Sequence, residues 1–333
     1  MRHVLRLFFC LVFFLSSSVV LAVPSAPSIT SSFSHLQIQY PQVYNDSVYA
    51  VTSSNTLAKL VFPGKEQWQL SQKIQTNLFR VHFNQIVLVD QQHRLHAYDA
   101  NYGFHIWRSP VDRIEAFQVF NPYVLLRLES NALACVDFET GKLVWLNDAH
   151  QYRGVSRIGR SAYVAAIDDD FLYVLDITTG DIVFSPTRLP QSDLTILSSS
   201  NHGVFLQNED TFHYALHSNQ VLKLTVSEAP AYFFQDYYFT IQKETQTVTK
   251  YHYSSDMPVW SLTLESMENV FFQDTELLVF LDEETVAVHD LFSGDFINQF
   301  SGVPFAKEPW VRYYKTEFGP CFISSKELLS FKQ

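Results

Sequence analysis

The chain has 333 residues, of which 47% are hydrophobic and 15% aromatic, and its formal net charge is −11 at pH 7. A protein that neutralises nucleic-acid phosphates needs a basic face, and no stripe of lysine and arginine occurs along this sequence, so nucleic acid is excluded as a partner. The 29 Phe and 17 Tyr residues favour half-buried strands over helices, which predicts an all-β protein.

The N-terminal segment, residues 1–22, has the anatomy of a signal peptide. A basic region with Arg2 and Arg6 precedes a short apolar run, and small Ala22 predicts cleavage directly after it. The apolar run is short for a membrane span, and Cys10 lies too early and among residues too bulky for a lipid-acceptor cysteine. We therefore expect an exported, periplasmic protein that is not a lipoprotein and has no membrane span after cleavage.

From about residue 35 onward, one unit of about 38 residues repeats along the chain. Each unit contains an alternating apolar run, a polar turn, a second run, an Asp-x-x-x-Gly turn and a third run that ends at an anchor residue. The intervals between successive anchors are 39, 38, 39, 38, 38 and 38 residues. The anchors are Trp68, Trp107, Trp145, Phe184, Leu222 and Trp260, with Asn298 at the same position of the seventh unit.

Each unit is predicted to fold as four strands, A to D, joined by hairpins. In the third unit these strands are expected at 115–120, 123–128, 132–137 and 143–146. The glycine of the C–D turn supplies a positive φ, and the aspartate four residues earlier accepts hydrogen bonds from the turn amides. The anchor side chain is predicted to cover the neighbouring sheet.

Sheets of this kind cannot bury both faces alone, and stacking them around an axis gives a β-propeller. After the seventh anchor the sequence predicts three further strands, at 310–315, 320–325 and 327–332, and segment 27–33 is the candidate for the missing fourth strand. The prediction is an eight-bladed β-propeller of four-stranded antiparallel blades. Its parts are a signal peptide at 1–22, a segment at 23–34 that closes the last blade, and the propeller at 35–333.

The Asp-x-x-(Thr/Ser)-Gly-x-x-x-Trp pattern resembles the pyrroloquinoline-quinone-type propeller repeat over about residues 35–333. That family includes the quinoprotein dehydrogenases and the non-enzymatic propeller of the outer-membrane β-barrel assembly machinery, which has eight blades and is usually a lipoprotein. The dehydrogenases carry an adjacent cysteine pair beside the quinone, and this sequence has no Cys-Cys. The resemblance therefore implies a cofactor-free, non-catalytic scaffold that binds envelope proteins, closest to the assembly-machinery propeller.

Carboxylates recur at the B–C turns of six units, and all B–C turns of a propeller emerge on one side of the disc. These residues are predicted to form an acidic rim that binds a basic or polar protein partner, and a generic solubility fringe is the open alternative. The rim residues are Asp90, Glu129, Asp168, Asp169, Asp170, Glu209, Asp210, Glu244, Asp282, Glu283 and Glu284.

No catalytic, cofactor or metal site is predicted from the sequence. The aspartate triplet at 168–170 is interpreted as one of the solvated hairpin tips, and His93 and His96 are three apart, so on a strand they point to opposite faces. Cys135 and Cys321 fall in the third and eighth blades and are expected to stay unpaired. The main alternative function is a quinone-dependent or other small-ligand-binding propeller that uses the central channel.

Overall fold

A computed structural model describes residues 27, 29–32, 36–62, 65–224, 230–255, 257–273, 275–308, 311–316 and 319–331. Within these ranges all regular secondary structure is β-strand, which confirms the predicted all-β class. No helix in the same ranges is long and apolar enough to cross a membrane. The predicted signal peptide lies outside the described residues.

The strands form antiparallel sheets that correspond to the predicted repeat units. Six sheets have four strands each, and one has seven because Lys65–His82 is both the last strand of blade 1 and the first strand of blade 2. Its N-terminal half pairs with Thr56–Val61, and its C-terminal half, from Ile74 onward, pairs with Gln85–Asp90. When this shared strand is counted in both blades, the described residues form the eight four-stranded blades of the predicted propeller.

The bounds of the strands in the first four blades follow in the order A to D. Blade 1 contains Gln39–Tyr44, Ser47–Val51, Thr56–Val61 and the first half of Lys65–His82. Blade 2 contains the second half of that strand, Gln85–Asp90, Leu95–Asp99 and His105–Arg108. Blade 3 contains Ile114–Phe120, Tyr123–Leu128, Leu133–Asp137 and Leu143–Asn147. Blade 4 contains Gly154–Arg157, Tyr163–Ile167, Phe171–Asp176 and Thr187–Arg188.

The remaining four blades follow the same order. Blade 5 contains Thr195–Ser199, Gly203–Gln207, Thr211–Ala215 and Gln220–Lys223. Blade 6 contains Tyr232–Phe234, Tyr237–Gln242, Thr247–His252 and Pro258–Thr263. Blade 7 contains Asn269–Gln273, Glu276–Phe280, Val286–Asp290 and Phe296–Phe300. Blade 8 contains Arg312–Thr316, Gly319–Ile323, Glu327–Ser330 and, as its outer strand, Ile29–Ser32.

The N-terminal strand closes the ring in the predicted manner. Ile29–Ser32 pairs antiparallel with Glu327–Ser330 and completes the four-stranded sheet of blade 8. An apolar cluster that includes Ile38 of the N-terminal region and Leu328 joins blades 8 and 1. The N-terminal segment therefore shares a sheet with the last blade, and the last blade shares an apolar core with the first.

Four tryptophan anchors dock on the C–D turn of the following blade. Trp145 is representative, since its Nε1 donates a 2.8 Å hydrogen bond to the carbonyl of Ile177 while its ring packs on Gly180. Gly180 has φ +76°, and a Cβ there would lie 2.7 Å from the ring. The same contact joins Trp68 to Gly103, Trp107 to Gly141 and Trp260 to Gly294.

The aspartate of each such turn acts as predicted. Asp290 Oδ1 accepts hydrogen bonds from the amides of Phe292 and Ser293 at 2.9 and 2.8 Å. These bonds, led by the one from Ser293, hold the pKa of Asp290 below its ordinary value. The C–D hairpin is thus fixed from within by its aspartate and from outside by the preceding tryptophan.

The two predicted anchors that are not tryptophan, Leu222 and Phe184, differ from each other. Leu222 is 47% exposed and does not cover a neighbouring sheet, so this prediction was wrong. The turn on which Leu222 would dock is that of blade 6, which has Asp256 where the turn glycine would lie and so lacks the glycine platform on which a ring packs. Phe184 is half-buried and packs against the apolar cluster shared by blades 4 and 5.

Recurring backbone bonds show which loops share a face of the disc. The connector that follows strand D bonds to the B–C turn of its own blade, as in Ile114 N to His93 O and Val303 N to Glu284 O, both 2.9 Å. The C–D turn bonds to the A–B turn, as in Ala100 N to Asn84 O at 2.9 Å. We call these two surfaces the B–C face and the C–D face.

The two cysteines within the described ranges are buried and free, which confirms that Cys135 and Cys321 do not pair with each other. Burial raises the pKa of each thiol to about 12. Neither is therefore a thiolate at neutral pH.

Candidate functional site

The predicted acidic rim lies at the B–C turns, but one of its members is not on the surface. Asp90 is fully buried, and its inclusion in the rim was wrong. Its carboxylate accepts hydrogen bonds from Arg94 Nε at 2.8 Å and from the amides of Gln92 and Arg94. Burial alone would raise the pKa of Asp90, and the bonds from Arg94 and His96 hold it below the ordinary value.

Three rim carboxylates are paired with lysine or arginine, and Glu129 lies beside the imidazole of His93. Lys223 ends strand D of blade 5 and the other partners belong to turns and connectors, so part of the local negative charge is compensated within the B–C face. The pairs are Glu129 with His93 at 3.1 Å, Asp169 with Arg153 at 2.8 Å, Asp210 with Lys223 at 2.6 Å and Glu283 with Lys307 at 2.8 Å.

Two rim aspartates hold the conformation of their own turns. Asp168 Oδ1 accepts from the amides of Asp170 and Phe171 at 2.9 and 2.7 Å, and its other oxygen accepts from the Tyr173 hydroxyl at 2.6 Å. Asp282 accepts from the amides of Glu284 and Thr285 at 2.8 and 2.7 Å, which lowers the pKa of this carboxyl. These side chains have a structural use that is independent of any partner.

The remaining carboxylates of the rim are exposed, and in the described ranges none of them forms an ion pair. They are Asp170, Glu209, Glu244 and Glu284. The structure therefore reduces the free negative charge of the rim to residues scattered over four blades, and its role in partner binding stays a prediction.

A second surface feature lies on the C–D face of blade 2. Phe83, Tyr102 and Phe104 are 58%, 69% and 70% exposed, and we call these three residues the aromatic patch. Tyr102 and Phe104 stack with ring centroids 5.9 Å apart. The bond from Ala100 N to Asn84 O holds the turn of Phe83 beside the turn of the other two.

The fold does not require aromatic residues at these turn positions. Tyr102 and Phe104 flank the turn glycine of blade 2, and the equivalent positions in blades 3, 4 and 7, which also have the glycine, carry small or charged residues. Those residues are Thr140 and Lys142 in blade 3, Thr179 and Asp181 in blade 4, and Ser293 and Asp295 in blade 7.

Phe83 adopts an unfavourable backbone conformation. Its φ is +43° and that of Asn84 is +57°, which is the two-residue turn that asparagine, aspartate and glycine favour. The equivalent turn of blade 1 has Asn45 and Asp46 at +46° and +54°. A bulky side chain in the left-handed region costs about 1 kcal/mol or more, and such strain concentrates at functional sites.

A polar cleft of about 530 Å³ opens beside the patch, between blades 1 and 2. It is lined by Gln69–Gln72 on one side and by His96, Tyr98, Phe104 and His105 on the other. His96 Nδ1 lies 3.2 Å from His105 Nε2, and His96 Nε2 lies 3.0 Å from Asp90 Oδ2. Burial lowers the pKa of His96, and its bond to Asp90 works against that shift.

The A strands around the central channel are joined by glutamine side chains. Gln42 Nε2 donates to the carbonyl of Phe79 at 2.9 Å and its Oε1 accepts from Val81 N at 3.1 Å. Gln273 makes the same two bonds to Tyr313, and Gln118 donates to Val155 at 3.1 Å. These polar groups are used in linking blades.

Ser200 and His213 form a Ser–His contact in the core of blade 5. Ser200 Oγ and His213 Nε2 are 2.9 Å apart, but both residues are fully buried. Among the residues that the structure describes, no group of three His, Cys, Asp or Glu side chains has the arrangement needed to hold a metal ion.

An alignment of the repeats with one another is sufficient to identify the aromatic patch from the sequence. Aligning the C–D turns shows that Tyr102 and Phe104 replace small or charged residues, and aligning the A–B turns shows that Phe83 replaces asparagine. The pair of His96 and His105 was missed because its members meet across the C–D hairpin, which the spacing of His93 and His96 cannot reveal.

Comparison with protein families confirms the resemblance to the propeller of the outer-membrane assembly machinery. The model of the family described as outer membrane protein assembly factor BamB matches residues 22–186. A comparison with curated proteins found no match.

Three of the solved structures that are similar to this chain align with it over almost the whole length of both proteins. The crystal structure of BamB from Moraxella catarrhalis has 15% identity and a TM-score of 0.55, over 92% of this chain and 98% of that chain. The computationally designed protein Ika8 has 12% identity and a TM-score of 0.62, over 92% and 99%. Sqt1 of Saccharomyces cerevisiae has 10% identity and a TM-score of 0.59, over 93% and 99%. At these identities the likenesses show the fold.

Proposed function

We propose that this chain, a PQQ-like repeat β-propeller that resembles BamB, is an exported, non-catalytic scaffold that binds proteins during outer-membrane protein assembly. The family match supports the assembly role, and the signal-peptide anatomy of residues 1–22 supports a periplasmic location. The regular use of the repeat to build a disc supports a scaffold rather than an enzyme.

The observation that carries the proposal is the aromatic patch. Protein interfaces are enriched in aromatic residues and depleted of aspartate and glutamate, and their hot spots are exposed rings that become buried on binding. Phe83, Tyr102 and Phe104 are exposed, adjacent and unnecessary for their turns. The patch is therefore a better protein-binding surface than the acidic rim, where several carboxylates already have partners.

The test replaces the patch with residues that equivalent blades already use. The variant carries Phe83→Asn, which copies the A–B turn of blade 1, together with Tyr102→Thr and Phe104→Lys, which copy the C–D turn of blade 3. We expect affinity capture from envelope extracts, read by mass spectrometry, to lose outer-membrane assembly proteins that the unaltered chain retains. Thermal unfolding checks that the variant remains folded.

A charge-reversal variant provides the matched comparison. Lysine replaces the unpaired rim carboxylates Asp170, Glu209, Glu244 and Glu284, none of which forms an ion pair in the described ranges. We expect capture to persist in this variant. If the charge-reversal variant loses capture while the patch variant retains it, the binding surface lies on the B–C face and not at the aromatic patch. If the unaltered chain captures no assembly protein, the proposed function itself is wrong.

The competing function, a small-ligand site in the central channel, has its own test. Pyrroloquinoline quinone and Ca²⁺ are added to the purified protein, and the absorption spectrum and melting temperature are recorded. A non-catalytic, cofactor-free scaffold shows no change in either, because a ligand that binds the folded state raises the melting temperature. A saturable shift would favour the quinone-dependent alternative.

A further inference from the structure

We propose that His96 and His105 form a binding site for a divalent transition-metal ion, for which Zn²⁺ is the probe, in the cleft between blades 1 and 2. The two imidazoles lie on one face of the C–D hairpin of blade 2, and His96 Nδ1 and His105 Nε2 are 3.2 Å apart. Two nitrogens bound at about 2.0–2.1 Å to a tetrahedral zinc ion lie about 3.3 to 3.4 Å apart. The nitrogens therefore already have the separation that a shared ion requires.

The buried carboxylate of Asp90 orients the inner imidazole. His96 Nε2 lies 3.0 Å from Asp90 Oδ2, so this nitrogen donates to the carboxylate and Nδ1 keeps its lone pair for a ligand. Asp90 is in turn fixed by Arg94 Nε at 2.8 Å and by Gln72 Nε2 at 3.2 Å. A carboxylate behind a metal-binding histidine is a common arrangement, because it fixes the ring and increases its basicity.

The outer imidazole is free to adjust. His96 is buried, whereas His105 is exposed and presents its ring to the cleft. Since His96 carries its proton on Nε2, the hydrogen bond between the two rings is donated by His105 Nε2. When an ion binds, His105 exchanges this proton through solvent to its Nδ1, which leaves the Nε2 lone pair free as the second ligand when the ring turns towards the ion. The backbone of His105 is held opposite Tyr98 by the pairing of strands C and D, so the adjustment is expected in the side chain.

The site is open on the side of the cleft. Across the described part of the chain, no third His, Cys, Asp or Glu joins this pair in a metal-binding group. The cleft of about 530 Å³ has room for the waters or ligand atoms that complete four-coordination. Imidazole ligands favour Zn²⁺, Ni²⁺ and Cu²⁺ over Mg²⁺ and Ca²⁺, which prefer oxygen.

The test is a calorimetric titration of the full chain, without a polyhistidine tag, with Zn²⁺ and separately with Mg²⁺. We expect saturable binding of Zn²⁺ by the unaltered chain, no binding of Mg²⁺, and at least a tenfold weaker Zn²⁺ affinity in His96→Gln and in His105→Gln. The control is His202→Gln, which removes an exposed histidine of blade 5 and leaves the affinity unchanged.

The His105→Gln variant keeps the proposal falsifiable, because an exposed side chain is replaced and the fold is retained. Imidazole resonances followed by NMR add a second measurement, in which Zn²⁺ shifts His96 and His105 together. The proposal is overturned if the unaltered chain shows no saturable Zn²⁺ binding, or if His105→Gln binds Zn²⁺ as tightly as the unaltered chain. Both results are independent of protein capture and so of the proposed function.

Discussion

A single glycine in each regular C–D turn meets two requirements at once. The residue adopts a positive φ, and the tryptophan ring of the preceding blade lies where a Cβ would be. The fit is tighter at Gly141, where a Cβ would lie 2.4 Å from Trp107, than at Gly103, where the nearest ring atom of Trp68 is 3.2 Å away. The two positions have similar φ values, +67° and +74°. A difference between substitutions at these positions therefore reports the ring contact and not the backbone strain.

Alanine at these two glycines is expected to destabilise the protein unequally. We expect Gly103→Ala to lower the free energy of unfolding by about 1 to 2 kcal/mol, chiefly through the left-handed backbone. Gly141→Ala is expected to cost more, because the Trp107 ring must also move away from the turn. Urea denaturation measures both losses, and equal losses would show that the ring contact contributes nothing.

In the turn of Phe83, unlike at the two glycines, a substitution is expected to raise the free energy of unfolding. Asparagine tolerates the left-handed region better than phenylalanine, and blade 1 uses asparagine at the same place with φ +46°. Phe83→Asn alone is therefore expected to raise the free energy of unfolding by about 0.5 to 1 kcal/mol while it weakens partner capture. Asn45→Phe, the reverse change in blade 1, is the control and is expected to destabilise. A loss of stability in Phe83→Asn would mean that the exposed ring supports the fold.

At the level of elements, glutamine side chains tie neighbouring A strands together. Gln42 makes two hydrogen bonds to the A strand of blade 2, whereas the structure gives Gln118 one such bond, to Val155. A net contribution of about 0.5 to 1.5 kcal/mol per bond is typical. Methionine is similar in size and cannot make either bond.

Methionine at Gln42 is accordingly expected to cost about 1 to 3 kcal/mol of unfolding free energy, and Gln118→Met about half as much. Chemical denaturation of the two variants gives the comparison. The interpretation of the glutamines as links between blades would be abandoned if both substitutions were neutral.

The interface between blades 5 and 6 predicts a pH dependence. His213 is fully buried, stacks on Tyr253 with ring centroids 3.9 Å apart and lies near Asp236 and other histidines. Desolvation lowers the pKa of His213 from 6.5 to about 4. Between these pH values His213 is therefore protonated in the unfolded chain and neutral in the folded chain.

Stability contributed by neutral His213 is complete above pH 6.5 and falls as the pH is lowered towards about 4. We expect a loss of roughly 3 kcal/mol from this residue over that window. His213→Phe is expected to flatten the slope, and His105→Gln, which replaces an exposed histidine of blade 2, to leave it unchanged. Unfolding free energies at pH 7, 5.5 and 4 provide the measurement, and an unaltered slope in His213→Phe would contradict the assignment.

Strand positions were predictable where the repeat is regular and less so where a proline interrupts it. The A strand of blade 3, expected at 115–120, is Ile114–Phe120. Blade 4 differs, since its D strand is reduced to Thr187–Arg188 with a separate bridge between Leu175 and Ile182. Pro186 lies between the two pairings and has no amide hydrogen to donate, so a continuous strand cannot form there.

At the scale of the whole molecule, the ring is closed by four residue pairs. Ile29–Ser32 provides the outer strand of blade 8, and without it Glu327–Ser330 would be an uncovered edge. A chain that keeps residues 1–26 but lacks residues 27–32 is expected to melt at a lower temperature and to be cleaved first near its C-terminus. Thermal unfolding and limited proteolysis with mass spectrometry test this, and a chain of unchanged stability would show that the N-terminal strand does not fasten the ring.

The candidate site was less predictable than the fold. Periodicity reports what every blade shares, and the aromatic patch and the His96–His105 pair are features of one blade. The acidic rim was inferred from charge at the turns, but sequence does not show that Asp90 is buried or that Arg153 and Lys307 approach Asp169 and Glu283. Such pairings arise between connectors and turns that only the folded ring brings together.

The shared strand Lys65–His82 has a consequence for how this surface can change. At the other described junctions between blades the chain leaves one sheet and enters the next through a connector, where insertions are tolerated without breaking a ladder. Between blades 1 and 2 no connector intervenes, because Lys73 pairs with Thr56 of blade 1 and the next residue, Ile74, pairs with Asp90 of blade 2, so a residue inserted there would separate two consecutive ladder pairs. The two halves of the cleft are therefore locked in a fixed relative orientation, and diversification there must proceed by substitution of side chains rather than by lengthening of a loop.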